Sequence, residues 1–187
     1  RCCFWRTRHT GKDKNIILYT GHLYKWKGAD IVAKAAEKMP EAEVYLVGGI
    51  KGDVEDFKNK YKFKNLHIVG WQEHKKIPYW LNAVDVLVLP NSGVEKISSH
   101  YTSPMKLFEY MAAKKSIVAS DLPSLREVLG SESAVFVRSD DVDALVFGIK
   151  KILADKVLAE KISANAYKIA GEFTWENRAQ KIIDFIF

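Results

Sequence analysis

The run Asp85–Val86–Leu87–Val88–Leu89, a polar, turn-rich loop from Pro90 to Thr102, then Ser103–Pro104–Met105–Lys106–Leu107–Phe108–Glu109–Tyr110–Met111–Ala112–Ala113, and then Ile117–Val118–Ala119–Ser120 decide how this chain folds. They read as strand, long loop, helix and strand. One acid, Glu109, stands inside the apolar helical run. A strand that feeds a long loop and a helix N-terminus, with a carboxylate one to two turns in, is how an α/β protein builds an anion or nucleotide site.

Working outward, the same alternation recurs. Towards the N-terminus lie strands at Ile16–Gly21, Glu43–Val47 and Leu66–Gly70. Helical patterns separate them, with Ile31, Val32, Ala35, Ala36 and Met39 in the first, Asp53–Lys62 in the second and Ile77–Asn82 in a third before Val84–Leu89. Towards the C-terminus, a helix near Ser124–Leu129 leads to a sixth strand at Ala134–Val137. Beyond Ser139 the pattern is helical throughout, over Val142–Ala154, Val157–Ala170 and Trp175 onward. Most strands are unbroken apolar runs, so both of their faces are covered. The expected fold is α/β: a Rossmann-like, doubly wound parallel sheet of about six strands, helices on both faces and a helical C-terminus. Ligands in such sheets bind outside the carboxyl ends of the strands, marked here by Gly21, Gly48, Gly49, Gly70 and Pro90.

Composition narrows the class. Apolar residues make up 48% and charged residues 28% of 187, ordinary for a globular domain with one well-buried core or two small ones. No apolar run approaches the roughly 20 residues that span a bilayer, and a cytoplasmic protein is expected, working if anywhere at the inner face of the membrane. The net charge of +6 favours anionic ligands only mildly, because Arg1, Arg6, Arg8, Lys12 and Lys14 supply much of it. Residues 1–15, with Phe4 and Trp5 among those cations, read as a basic linker or tail. A peripheral membrane contact suits that composition, and no nucleic-acid partner is expected. Cys2 and Cys3 make neither a disulfide framework nor a zinc site. No metal site is expected at Asp141–Val142–Asp143 either: Ser139 or Asp140 as N-cap, with acids in the first helical turn, explains that motif. The five histidines show no ligand spacing, and no G-x-S-x-G elbow is present.

Three places carry candidate chemistry. In Gly21–His22–Leu23–Tyr24–Lys25–Trp26–Lys27–Gly28, a strand-end glycine lets backbone approach a ligand and Lys27 adds a point charge for phosphate; a solvated αβ loop is the other reading. Gly48–Gly49–Ile50–Lys51–Gly52 lacks the G-x-G-x-x-G order and reads first as a tight turn, second as an anion cradle. Glu109 is either a bidentate acceptor for two ribose hydroxyls or half of a surface Lys106–Glu109 pair worth about 0.2–0.5 kcal/mol.

Taken in order, these segments resemble the C-terminal, donor-binding domain of the retaining glycosyltransferases of group 1, which have the GT-B fold. The resemblance rests on Tyr19–Thr20–Gly21–His22–Leu23 with Lys27–Gly28, Val47–Gly48–Gly49, Ile68–Val69–Gly70–Trp71 and Ala83–Pro90. It continues through Ser103–Ala112, Ile117–Pro123 and Phe173–Thr174–Trp175. It implies residues 16–187 as a nucleotide-sugar-binding domain, with an N-terminal acceptor-binding domain of the full protein absent. It implies a donor such as a UDP- or GDP-sugar, no cofactor or catalytic metal, and an acceptor glycan or lipid-linked sugar in a polysaccharide-building reaction.

By position, Lys27 and Glu109 take the catalytic roles. Gly21, His22, Lys27, Trp71, Thr102, Ser103, Met105, Lys106 and Glu109 take the donor, with His22 where the family usually has Arg. The family's first glutamate falls on Tyr101, so Thr102, Ser103 and Lys106 are expected to take over near the sugar and phosphates. Such a fragment should bind nucleotide and transfer little. A non-catalytic nucleotide-sugar-binding module and half of a nucleotide-sugar epimerase remain alternatives.

Overall fold

A computed structural model of the protein describes residues 14–101 and 105–186. Strands β1 (Asn15–Thr20), β2 (Ala42–Val47), β3 (Leu66–Gly70), β4 (Val86–Leu89), β5 (Ser116–Ser120) and β6 (Val135–Val137) form one parallel sheet in the order β3-β2-β1-β4-β5-β6. The chain winds outward from β1 to β3, returns to the centre at β4 and winds out the other way. The carboxyl ends of β1 and β4 therefore flank the point where the order reverses.

The apolar runs are continuous because alternate residues enter two different cores. Ile17, Tyr19, Val44, Leu46, Val86, Val88 and Val118 point into one, with helices α1 (Ala29–Glu37), α2 (Lys51–Lys60) and α7 (Val142–Ala154) packed over them. Ile16, Leu18, Tyr45, Val47, Leu87, Leu89, Ile117 and Ala119 point into the other, under α3 (Ile77–Asn82), α5 (Met105–Ala112), α6 (Pro123–Arg126) and the end of α8 (Lys156–Ala170). A strand buried on both sides cannot alternate apolar with polar, which is why these runs read as parallel strands.

Several boundaries move for identifiable reasons. β4 begins at Val86 rather than Val84; just before it the Asp85 carboxylate accepts from the Ile16 N–H at 2.9 Å, and the Asp85 N–H donates to the Ile16 carbonyl at 2.9 Å. The loop expected from Pro90 to Thr102 contains a short helix, α4 (Lys96–His100). The N-cap of α7 is Asp141, not Ser139 or Asp140: its carboxylate accepts from the Ala144 N–H at 2.9 Å. That bond holds the Asp141 carboxyl below its usual range, with Arg138 adding to the effect. Among the described residues, no helix is long and apolar enough to cross a membrane. The last helix, α9 (Trp175–Ile186), has no buried residue, and Trp175, Ile182, Ile183, Phe185 and Ile186 are exposed on it.

Candidate functional site

The first half of the site is the link from β1 to α1. Past Thr20 the backbone continues the ladder through Gly21, whose N–H donates to the Val47 carbonyl at 2.8 Å. The chain then runs through a 3-10 turn, Lys25–Lys27, that ends at Gly28 with φ 75°. Gly28 is there for two reasons. Its left-handed conformation starts α1, and it lies so close to the end of β4 that an added Cβ would stand 1.7 Å from the Pro90 carbonyl oxygen. That approach fixes Lys27 at the N-terminus of α1, with its Nζ 5.0 Å from the centre of the Trp26 ring. Partial burial lowers the pKa of the Lys27 ammonium. A cation at a helix N-terminus adds to the positive end of the helix dipole, so the two together favour an anion.

The second half is the start of α5. Tyr110 locks this helix to the sheet: its hydroxyl accepts from the Thr20 N–H at 2.7 Å and also meets the Thr20 hydroxyl. With Tyr110, Leu107 and Met111 buried, Lys106 is carried inward at the carboxyl end of the strands rather than out to water. Only 8% of Lys106 is exposed, and among the described residues its Nζ has no hydrogen-bond partner. It lies 4.1 Å from the centre of the Tyr19 ring. Burial, and after it the charge of Lys27, pull the Lys106 pKa down to about 7. The surface Lys106–Glu109 pair is therefore not formed. Glu109 accepts instead from His74 Nε2 at 2.7 Å.

These halves meet in a cleft of about 370 Å³, within the range of small-molecule sites. Of the residues the sequence singled out, Gly21, His22, Lys27, Trp71, Met105, Lys106 and Glu109 all line it. Thr102 and Ser103 lie outside the described residues, as do Cys2, Cys3 and the basic tail up to residue 13. Gly48 and Gly49, read first as a turn, line the cleft as well. Gly48, with φ 123°, packs so tightly on Gly21 that an added Cβ would sit 2.3 Å from the Gly21 carbonyl oxygen.

Asn91 is the residue sequence reasoning missed. It is 1% exposed, lines the cleft and leaves its Oδ1 without a hydrogen-bond partner among the described residues. Its signal was its place directly past the end of β4, at the reversal of strand order. Buried polar atoms left unpaired are costly, so Asn91 Oδ1 and Lys106 Nζ are two groups on the cleft wall with hydrogen-bonding capacity to spare. A second cleft, of about 530 Å³, shares Met105 and Glu109 and runs along Phe173, Trp175, Arg178 and Lys181. Among the described residues, no group of three or more His, Cys, Asp or Glu side chains is placed to hold a metal ion.

The chain is similar to known proteins in sequence and in fold. D-inositol 3-phosphate glycosyltransferase of Xylanimonas cellulosilytica is 26% identical over 182 residues, which cover 92% of this chain and 42% of that protein. The chain thus spans less than half the length of the curated relatives it matches. Anabaena Alr3699/HepE, solved in complex with UDP-glucose, superposes with a TM-score of 0.84 at 18% identity, over 99% of this chain and 52% of that one. The C-terminal domain of a glycosyl transferase group 1 family protein from Francisella tularensis superposes with a TM-score of 0.72 at 19% identity, over 92% of both chains. Residues 5–169 match the family model for glycosyl transferases group 1. The chain belongs to that family.

Proposed function

We propose that this chain is the donor-binding half of a glycosyltransferase that moves a sugar, of hexose type, from a UDP- or GDP-sugar to an acceptor hydroxyl with retention at the anomeric carbon. The observation that carries the reading is the convergence of Lys27, Lys106 and Glu109 on one cleft at the carboxyl ends of β1 and β4. Glu109 is the one acid on that wall, and a carboxylate suits two ribose hydroxyls, since charge-assisted bonds of this sort are strong. Lys27, Lys106 and the N-terminus of α5 suit the diphosphate. As the bond from the sugar to the diphosphate breaks, these cations stabilise the charge that develops on the leaving group. The UDP-glucose complex of the Anabaena neighbour supports a donor of this class.

The acceptor, a glycan or lipid-linked sugar, belongs in this reading to an N-terminal domain outside the chain, so the chain alone binds nucleotide and transfers little. Calorimetry with UDP, GDP and ADP tests the reading. Glu109→Ala should weaken the preferred diphosphate by about tenfold or more, and Lys27→Ala should weaken diphosphates much more than the parent nucleoside. Failure of all three nucleotides, or full affinity in Glu109→Ala, removes the donor-site assignment.

A second reading, a nucleotide-sugar-binding module without transfer, is favoured by Tyr101. It stands 80% exposed where the family has its first glutamate. Sugar transfer by the full-length protein decides between them.

A further inference from the structure

We propose that Lys106 is the specificity-determining residue for the diphosphate, and that its Nζ joins the anion only by taking up a proton, so that each ligand bound draws about one proton from solution. The proposal rests on the reading of the cleft as a donor site and adds to it the chemical state of one atom.

The geometry leaves a charged Lys106 unsupported while the cleft is empty. The side chain is buried, Nζ donates to nothing among the described residues, and its neighbour across the stem is Gly21, which offers no side chain. From β1 it meets the ring face of Tyr19, and ring attraction alone does not replace a hydration shell. From the turn before α1 it feels Lys27, a like charge. On its own helix the nearest acid, Glu109, is engaged by His74, and Tyr110 is bonded to Thr20. His22 is the other titratable group on the cleft wall.

A desolvated amine beside a second cation is best left neutral. Burial and Lys27 bring it to about 7, so near pH 8 the neutral amine prevails until an anion is bound. A diphosphate reverses both effects at once, because it places negative charge beside Lys106 and Lys27 together. A monophosphate or nucleoside offers less compensation, which is how the lysine discriminates.

The step is simple in its balance. The amine gains one proton from the buffer, and no other bond changes. At about pH 8 the ligand is not the acceptor of that proton, since the second ionisation of a phosphate lies near 6.

Calorimetry of the 187-residue chain with UDP, GDP, UMP and uridine at about pH 8, in Tris and in HEPES, reads the uptake directly. The two buffers differ in ionisation enthalpy, so the apparent heats differ in proportion to the protons taken up. An uptake approaching one proton per diphosphate is expected at about pH 8, and much less at about pH 6. His22→Gln and His74→Gln should retain the uptake at pH 8. Lys106→Arg, permanently charged, should bind without it, and Lys106→Met should shrink the preference for UDP over UMP to a few-fold.

Equal heats in the two buffers for a diphosphate that binds overturn the proposal and leave the donor site intact. So does an unchanged UDP-to-UMP preference in Lys106→Met, or an uptake that vanishes in His22→Gln. If neither UDP nor GDP binds the wild-type chain, the donor-site reading fails and this one with it. Should Lys106→Arg not fold, the wild-type comparison between buffers still decides.

Discussion

At Lys106 the folded protein buries an amine that it would be more stable without. Its pKa is about 7 in the folded chain and near 10.4 once unfolded, so between those values the unfolded state binds more protons. Stability from this residue therefore rises as pH increases from about 7 towards 10, and the penalty is complete below 7. Lys106→Met keeps the apolar stem and removes the penalty. It should raise the melting temperature of the ligand-free chain by about 2–8 °C at neutral pH. The advantage should fade towards pH 10, which thermal unfolding across that range would reveal. A variant no more stable than wild type at pH 6–7 would mean that Nζ reaches water.

Glu109 was legible as a residue of interest, an acid in an apolar helix; Lys106 stood out only as its pairing partner and through the family resemblance. Their true partners were not. Spacing on a helix offers Lys106 to Glu109, whereas burial of Leu107, Tyr110 and Met111 turns Lys106 inward, and Glu109 finds His74 35 positions away.

At the scale of elements, the strands were readable because most of them are clad on both sides and so carry no polar alternation. The helix α4 was not, since five residues of Lys-Ile-Ser-Ser-His have neither length nor period. Its role is also tertiary: Ser98 donates to the Trp26 carbonyl at 3.3 Å and so ties the post-β4 segment to the Lys27 turn. The join between α1 and β4 depends on Gly28. Gly28→Ala combines a left-handed φ with a collision against Pro90 backbone, and should cost about 2 kcal/mol or more. Urea denaturation measures that loss. Because the same contact sets Lys27, nucleotide affinity should fall with it; a variant that keeps wild-type stability would show the two backbones able to part.

At the scale of the molecule, the strand order explains why residues as distant as Lys27, Trp71, Asn91 and Glu109 share a wall: each stands just beyond a strand end or in the helix that follows. That much follows from the succession of strands and helices. The exposure of α9 does not, because an apolar helix reads the same whether or not anything covers it. Since none of its described residues is buried, deletion of residues 175–187 should lower the unfolding free energy by less than about 1 kcal/mol and leave UDP affinity within a few-fold. A large loss in denaturant titration would mean that α9 braces α5.

The two halves of the cleft belong to opposite layers of the sheet, α1 resting on one core and α5 on the other. A molecule held by both acts as a rivet through the sheet. Occupancy should therefore slow hydrogen exchange on both faces in step, and a packing defect in either layer should loosen the grip on the same ligand.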